Sequence, residues 1–216
     1  MSAARIPVIG IVGGIGSGKT ALANALQHQL RCSRLDADSA GHRALRQPDI
    51  IAKLTAIFGQ EILDPQGEVS RPAVARRVFG DAAEQRQARQ QLETIVHPVI
   101  EDDMRNQLQQ MQADGDQDVI LLDAALLLEA GWSRFCDAVI FLDVPRETRV
   151  ARVRERGWDE PELARREASQ LSLEEKRARA DLVLDQTGPI EQSAGHLANW
   201  IRERFQLQTP AKILTP

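Results

Sequence analysis

Short continuous apolar runs alternate along the chain with longer segments whose apolar residues recur every three or four positions. A continuous run is typical of a parallel strand buried on both faces, and the spaced pattern predicts an amphipathic helix. The predicted strands are 6–12, a short one ending in L-D-A-D at 35–38, 119–123, 138–144 and 182–185. The pattern therefore favours an α/β protein with a parallel five-stranded sheet flanked by helices.

A glycine-rich segment directly after the first predicted strand carries phosphate-binding chemistry. Residues 13–20 read G-G-I-G-S-G-K-T, which fits G-x-x-x-x-G-K-[ST]. The glycines let backbone N–H groups turn towards phosphate oxygens, and the following helix adds its free N-terminal N–H groups. Lys19 can reach the β- and γ-phosphates, and the Thr20 hydroxyl can ligate Mg²⁺. A strand before this loop and a helix after it predict a nucleoside triphosphate site in a P-loop NTPase-like fold.

Carboxylates follow two of the other predicted strands. Asp36 and Asp38 end the second strand, and Asp123 ends the third. Ligands of an open parallel sheet gather at the carboxyl ends of its strands, so these groups are expected near phosphate and metal. Asp123 has a Walker-B-like placement and is predicted to hold Mg²⁺ through water.

Between about residues 41 and 113 the chain shows helical periodicity without strong strands. One helix is predicted to end at His97-Pro98 and another to begin at Val99, and Asp81 with Glu84 has the spacing of a capping box. A helical insertion after the second strand is where a kinase of small molecules would hold its acceptor. A purely structural helical layer is the other interpretation.

Arginines are dense after the fourth predicted strand. Arg149, Arg152 and Arg156 share one helical face by their spacing of three and four residues. A surface helix with glutamate partners is one interpretation. Because phosphoryl transfer needs cations over the γ-phosphate, often on a mobile segment, residues 149–176 are predicted to form a lid.

Composition and charge narrow the class of protein further. The 216 residues carry a net charge of −4, and no basic stripe of the kind that binds nucleic acid is present. No apolar run approaches a membrane span, and the first strand begins almost at once, without a signal-peptide core. Cys32 and Cys136 are far apart and are expected to be free thiols in a reducing compartment. We therefore expect a cytoplasmic protein, a monomer or weak homo-oligomer.

Several motifs taken together resemble the dephospho-CoA kinase family. They are G-G-I-G-S-G-K-T at 13–20, L-D-A-D at 35–38, F-G at 58–59, D-P-Q-G at 64–67, L-E-T-I-V-H-P at 92–98, L-L-L-E at 126–129 and K-R-A-R-A-D-L-V-L-D at 176–185. Their order and spacing extend to about Gly188. The resemblance implies one P-loop kinase chain with a core at 1–40, 114–148 and 177–216, a helical CoA- or acceptor-binding subdomain at 41–113 and a helical lid at 149–176.

The resemblance also implies a reaction, the ATP-dependent phosphorylation of the ribose 3′-hydroxyl of dephospho-CoA. The products would be coenzyme A and ADP, in the last step of coenzyme A synthesis. Asp38 would orient the hydroxyl and accept its proton, Lys19 would hold the triphosphate, and Arg152 and Arg156 would neutralise the transferring group. The implied ATP contacts are Gly14, Ile15, Gly16, Ser17, Gly18, Lys19, Thr20, Ala21 and Gln186. The implied acceptor contacts are Asp38, Arg71, His97, Leu126 and Glu129. A buried structural residue before a proline is the other interpretation of His97.

The chain departs from the family pattern at Ala21, Ala125 and Gln186, where the family commonly has a hydroxyl residue, a proline and an asparagine, and it contains no tyrosine. None of these departures removes a group that the chemistry requires. A nucleoside or nucleoside-monophosphate kinase is an alternative function, and an ATP-binding regulatory switch is an alternative from outside the enzymes. Asp38 favours an alcohol acceptor, because a carboxylate would repel a phosphate acceptor.

Overall fold

A five-stranded sheet forms the centre of the molecule in the computed structural model, which describes residues 5–80 and 82–207. All strand pairs are parallel, and the order is β2-β3-β1-β4-β5. The strands are β1 Val8–Gly13, β2 Cys32–Asp36, β3 Val119–Asp123, β4 Ala138–Asp143 and β5 Leu182–Asp185. The predicted α/β class and the parallel five-stranded sheet are confirmed.

Helices cover both faces of this sheet. In the described part of the chain they are α1 Lys19–Leu26, α2 Ala37–Ala44, α3 Pro48–Phe58, α4 Arg71–Val78, α5 Ala83–Asp114, α6 Arg146–Arg154, α7 Glu160–Glu167, α8 Leu173–Ala178 and α9 Ile190–Phe205. Short 3₁₀ turns occur at Gln60–Ile62 and Trp132–Phe135. No helix within residues 5–80 or 82–207 combines the length and apolar character that a membrane crossing needs.

Two hydrophobic cores lie on opposite faces of the sheet. On one face, Leu22 and Leu26 of α1 pack with Leu197 and Ile201 of α9 against the strands. On the other face, the helices between β2 and β3 bury a larger set of apolar side chains, including Leu54. Because the central strands are covered on both faces, every residue of β1 and β3 is buried, which explains their uninterrupted apolar runs.

The helix that carries His97 and Pro98 is continuous, so the prediction of two helices separated at this dipeptide is wrong. Helix α5 runs through Pro98, which lacks the N–H that would bond to the Thr94 carbonyl four residues earlier. Val96, Ile100 and Met104 are buried on both sides of the proline and pack both halves of the helix against the same core. Packing of this face therefore outweighs the cost of the interior proline, about 3 kcal/mol.

Some predicted features lie outside the described residues. They are Asp81 of the expected capping box and the ends of the predicted core, 1–4 and 208–216. A second capping box, which the spacing of Ser172 and Glu175 indicates, is present at the start of α8. The Glu175 N–H donates to Ser172 Oγ at 3.1 Å, and the Ser172 N–H donates to Glu175 Oε2 at 3.0 Å. This box begins the helix that leads from the predicted lid back to β5.

Candidate active site

The glycine-rich loop joins the end of β1 to the start of α1, as the motif predicts. Gly16 and Gly18 have φ values of 81° and 90°, in the left-handed region that strains other residues. A β-carbon at Gly14 would lie 2.7 Å from Arg149 Nη1, so the loop also needs glycine for close packing. No side chain caps the first turn of α1. Its N–H groups are therefore available to an anion.

Two arginines of α6 donate hydrogen bonds to backbone carbonyls of this loop. The Arg149 side chain is buried, pairs with Glu167 of α7 and donates to the Ile15 carbonyl at 3.3 Å. Arg152 donates to the Ser17 carbonyl at 2.9 Å. Both guanidinium groups therefore hold loop carbonyls, which fixes the loop and links it to the segment predicted as a lid.

Asp36 and Asp38 occupy different elements, which corrects the prediction that L-D-A-D ends a strand. Strand β2 stops at Asp36, whose carboxylate accepts the Ser39 N–H at 3.0 Å and caps α2. Asp38 consequently lies in the first helical turn. The chain turns early because a capping aspartate satisfies a free helix N–H as soon as the strand ends.

Burial shifts the pKa values of Asp38 and Lys19. Partial burial raises the pKa of the Asp38 carboxyl above its usual value, and the negative charges of Asp36 and Asp123 raise it further. Burial lowers the pKa of the Lys19 ammonium, against the opposing effect of Asp123. A carboxylate with a raised pKa is a stronger base, so Asp38 is suited to accept a proton.

Asp123 ends β3 beside Asp36 in the parallel register. Its carboxylate accepts a hydrogen bond from Arg34 Nη2 at 2.7 Å, and the same nitrogen lies 3.6 Å from Asp36 Oδ2. Thr20, at the start of α1, is exposed. The negative charge of Asp123 acts on the neighbouring Lys19. A hydroxyl and a carboxylate are donors that fit Mg²⁺, because this ion takes few protein ligands and completes its shell with phosphate and water.

A cavity of about 470 Å³ lies between the glycine-rich loop, helix α5 and the segment around α7. It brings together seven of the predicted site residues, which are Ile15, Gly16, Lys19, Asp38, His97, Leu126 and Arg156. The His97 ring meets the Trp132 ring edge-on, with centroids 5.3 Å apart, and burial lowers the pKa of its imidazole. The cavity therefore joins the glycine-rich loop, a carboxylate and an apolar wall.

Other predicted site residues do not line this cavity. Arg71 lies at a separate cleft with His42, Arg43 and Arg46. The Glu129 carboxylate lies 3.1 Å from Lys176 Nζ and accepts the Leu171 N–H at 2.9 Å. Gln186 is buried after β5 and donates to the Gly188 carbonyl at 2.9 Å.

Among the cavity-lining side chains that sequence reasoning did not select as site residues are Phe79, Arg89, Trp158 and Arg166. The Arg166 guanidinium carbon lies 4.1 Å from the centroid of the Trp158 ring and 5.5 Å from that of Phe79. Arg89 shares the cavity-facing side of α5 with Leu92, Val96 and His97 at helical spacing. That spacing is the signal in the sequence that would have found Arg89 once His97 was selected.

Most of the chain matches one known family in comparisons with other proteins. The model of the dephospho-CoA kinase family matches residues 7–192. The chain is 36% identical over 206 residues to a dephospho-CoA kinase from Corynebacterium diphtheriae, covering 93% of this chain and 98% of the relative. It is 35% identical over 201 residues to one from Geobacter sulfurreducens, covering 92% of this chain and 98% of the relative.

Solved structures agree with these sequence matches. A crystal structure from Thermus thermophilus superimposes with a TM-score of 0.74 at 32% identity, covering 93% of this chain and 98% of that one. A dephospho-CoA kinase from Campylobacter jejuni shares the fold, with a TM-score of 0.59 at 20% identity over 92% and 98% of the two chains. The resemblance that the motifs indicate is thus confirmed, and the chain belongs to the dephospho-CoA kinase family.

Proposed function

We propose that this kinase transfers the γ-phosphoryl group of ATP to the ribose 3′-hydroxyl of dephospho-CoA, giving coenzyme A and ADP. The observation that carries the proposal is that Asp38 and Lys19 line the same cavity. A carboxylate suited to accept the proton of an alcohol thereby faces the lysine that holds the phosphates. Family membership supports dephospho-CoA as the alcohol.

On the nucleotide side, the proposed contacts are Gly14, Ile15, Gly16, Ser17, Gly18, Lys19, Thr20 and Ala21, with Gln186 towards the base. The geometry of Gly16 and Gly18 supports the loop contacts, since it turns backbone N–H groups inward. Arg156 is proposed to neutralise the transferring group from the lid side of the cavity. Arg152 is proposed to act on the same charge while it fixes the loop through Ser17.

On the acceptor side, the proposal rests on Asp38, His97 and Leu126. Asp38 orients the 3′-hydroxyl and takes its proton as the oxygen attacks the γ-phosphorus. His97 and Leu126 belong to the wall that encloses the acceptor. Arg71 and Glu129 are also acceptor contacts by family resemblance, but their positions outside the cavity give that role no support.

Magnesium is the proposed cofactor, held by the Thr20 hydroxyl and, through water, by Asp123. When bound, Mg²⁺ neutralises charge on the β- and γ-phosphate oxygens. We further propose that the protein acts in the cytoplasm, which the two free thiols at Cys32 and Cys136 support. A monomer or weak homo-oligomer stays a prediction.

A panel of acceptors tests the function directly. With ATP and magnesium, ADP release should occur with dephospho-CoA and be far slower with AMP, CMP, adenosine and shikimate. The reason is that a carboxylate base beside the phosphoryl donor favours an alcohol, and the cavity is large enough for more than a nucleoside. Activity confined to AMP or CMP would overturn the proposal in favour of a nucleoside-monophosphate kinase.

The raised pKa of Asp38 predicts the pH dependence of catalysis. Asp38 must be deprotonated to act as a base, so kcat/KM should fall as the pH falls through its pKa. Because that pKa lies above the usual aspartate value, the acid limb should lie above about pH 4. Stopped-time assays of ADP release across the acidic range would measure it. An acid limb that persists unchanged in the residual activity of Asp38→Asn would contradict the assignment.

A further inference from the structure

Three cations that line the central cavity make no ion pair within residues 5–80 and 82–207. Within the described part of the chain, Lys19, Arg89 and Arg156 line the cavity, and no Asp or Glu oxygen lies within ion-pair distance of any of them. The remaining cavity arginine, Arg166, is already bound to Glu162, at 2.6 Å. Unpaired cations in a concave site are the complement of a polyanionic ligand.

These three cations come from different elements of the fold. Lys19 opens α1, and Arg156 is near enough for its charge to act on Lys19. Arg89 instead belongs to α5 and lines the cavity together with Phe79, whose carbonyl accepts a hydrogen bond from Gln85 of the same helix at 2.8 Å. Phe79 in turn stacks on Arg166. Arg89 therefore belongs to the α5 wall of the cavity, and it is not among the charges that act on Lys19.

The two substrates differ in where they need positive charge. The triphosphate of ATP is met by the loop N–H groups, Lys19 and Arg156. Dephospho-CoA carries a second anionic group, the diphosphate that joins its adenosine to pantetheine, and this group needs its own cation. A guanidinium presents planar N–H donors that match phosphate oxygens. Glu93, one turn after Arg89, does not neutralise it, since the two are not within ion-pair distance.

We propose that Arg89 binds the diphosphate of dephospho-CoA and thereby selects this acceptor over ribosides that lack a diphosphate. The inference rests on the proposed function and names the residue through which the acceptor's anionic group is recognised. Arg89 has no other ionic partner to satisfy it in the described structure. It touches the acceptor away from the reacting atoms, so its loss affects affinity more than turnover.

Arg89→Met tests the assignment, with Arg89→Lys as the conservative variant and Arg76→Met as the matched control. Arg76 is an exposed arginine of α4 that does not line the cavity. In Arg89→Met, KM for dephospho-CoA should rise by about 10- to 100-fold, as expected for one hydrogen bond to a charged group. Lysine should recover part of this loss. KM for ATP and kcat should stay near the wild-type values, and Arg76→Met should match wild type throughout.

Inhibition by adenosine distinguishes a lost diphosphate contact from a general distortion of the site in Arg89→Met. Adenosine has the ribose and base but no diphosphate, so its inhibition constant against dephospho-CoA should be the same in wild type and Arg89→Met. An unchanged KM for dephospho-CoA, or an equal weakening of adenosine, dephospho-CoA and ATP, would overturn the role of Arg89 while leaving the function intact. Wild-type protein that releases no ADP with dephospho-CoA would instead overturn the proposed function, and the diphosphate assignment with it.

Discussion

Replacing Asp38 by asparagine is expected to lower kcat by about 10²- to 10⁴-fold while ATP affinity stays nearly unchanged. Asparagine keeps the size of the side chain but cannot accept the proton of the 3′-hydroxyl. The Asp38 side chain makes no ion pair in the described structure, so the fold should tolerate the change. Coupled ADP release gives kcat, and titration with a non-hydrolysable ATP analogue gives the affinity for nucleotide.

The matched control is Asp116→Asn, which removes an exposed carboxylate from the segment between α5 and β3 that does not line the cavity. It should leave both kcat and ATP affinity at wild-type values. Turnover in Asp38→Asn equal to that of this control would remove Asp38 from the mechanism. A fall in ATP affinity matching the fall in kcat would also contradict the proposal, since it would make Asp38 a nucleotide contact or a structural residue.

The features that sequence alone predicted well are those fixed by local chemistry. Each central strand is buried on both faces, so its apolar run needs no knowledge of its neighbours to be recognised. The glycine-rich loop is likewise specified within eight residues, because only glycine adopts the φ values seen at Gly16 and Gly18 without strain. Asp38 was likewise predicted at the edge of the sheet where the strands end, because it comes two residues after the last residue of β2.

The features that sequence did not predict depend on contacts distant along the chain. Helix α5 continues through Pro98 because of buried contacts on both sides of it, and no local rule weighs that packing against the proline. The predicted helical face of Arg149, Arg152 and Arg156 is wrong at its last member, because α6 ends at Arg154 and Arg156 lies in the turn that follows. Arg149 and Arg152 hold loop carbonyls, whereas Arg156 lines the cavity. Periodicity identifies a shared face and does not say what each residue on it meets.

Glu129 is another residue whose contacts a local pattern does not reveal. These contacts affect the stability of the fold. The L-L-L-E segment suggested an acceptor contact, whereas the carboxylate faces Lys176 of α8. Lys176 is buried, with 2% of its side chain exposed, and Nζ also donates to Gln170 Oε1 at 2.8 Å. Glu129 is 16% exposed and accepts the Leu171 N–H. These contacts join the end of the predicted lid segment to the loop after β3.

Replacing Lys176 by methionine should therefore lower the free energy of unfolding by about 3 kcal/mol, since it leaves a mostly buried carboxylate without its cation. The Leu171 N–H still binds Glu129, which places the loss at the low end of the range for such changes. The melting temperature should fall by about 6–12 °C. Calorimetry at neutral pH would measure both quantities.

A double-mutant cycle with Glu129→Gln separates the missing cation from the missing side chain. If the unpaired charge causes the loss, the Lys176→Met/Glu129→Gln protein should be more stable than Lys176→Met alone, because the orphaned charge is gone. Lys53→Met is the control: it removes a lysine that is 60% exposed and paired with the equally exposed Asp49, and it should cost less than about 0.5 kcal/mol. Additive effects in the cycle, or a loss no larger than that of Lys53→Met, would show that Lys176 and Glu129 do not hold the lid through their charges.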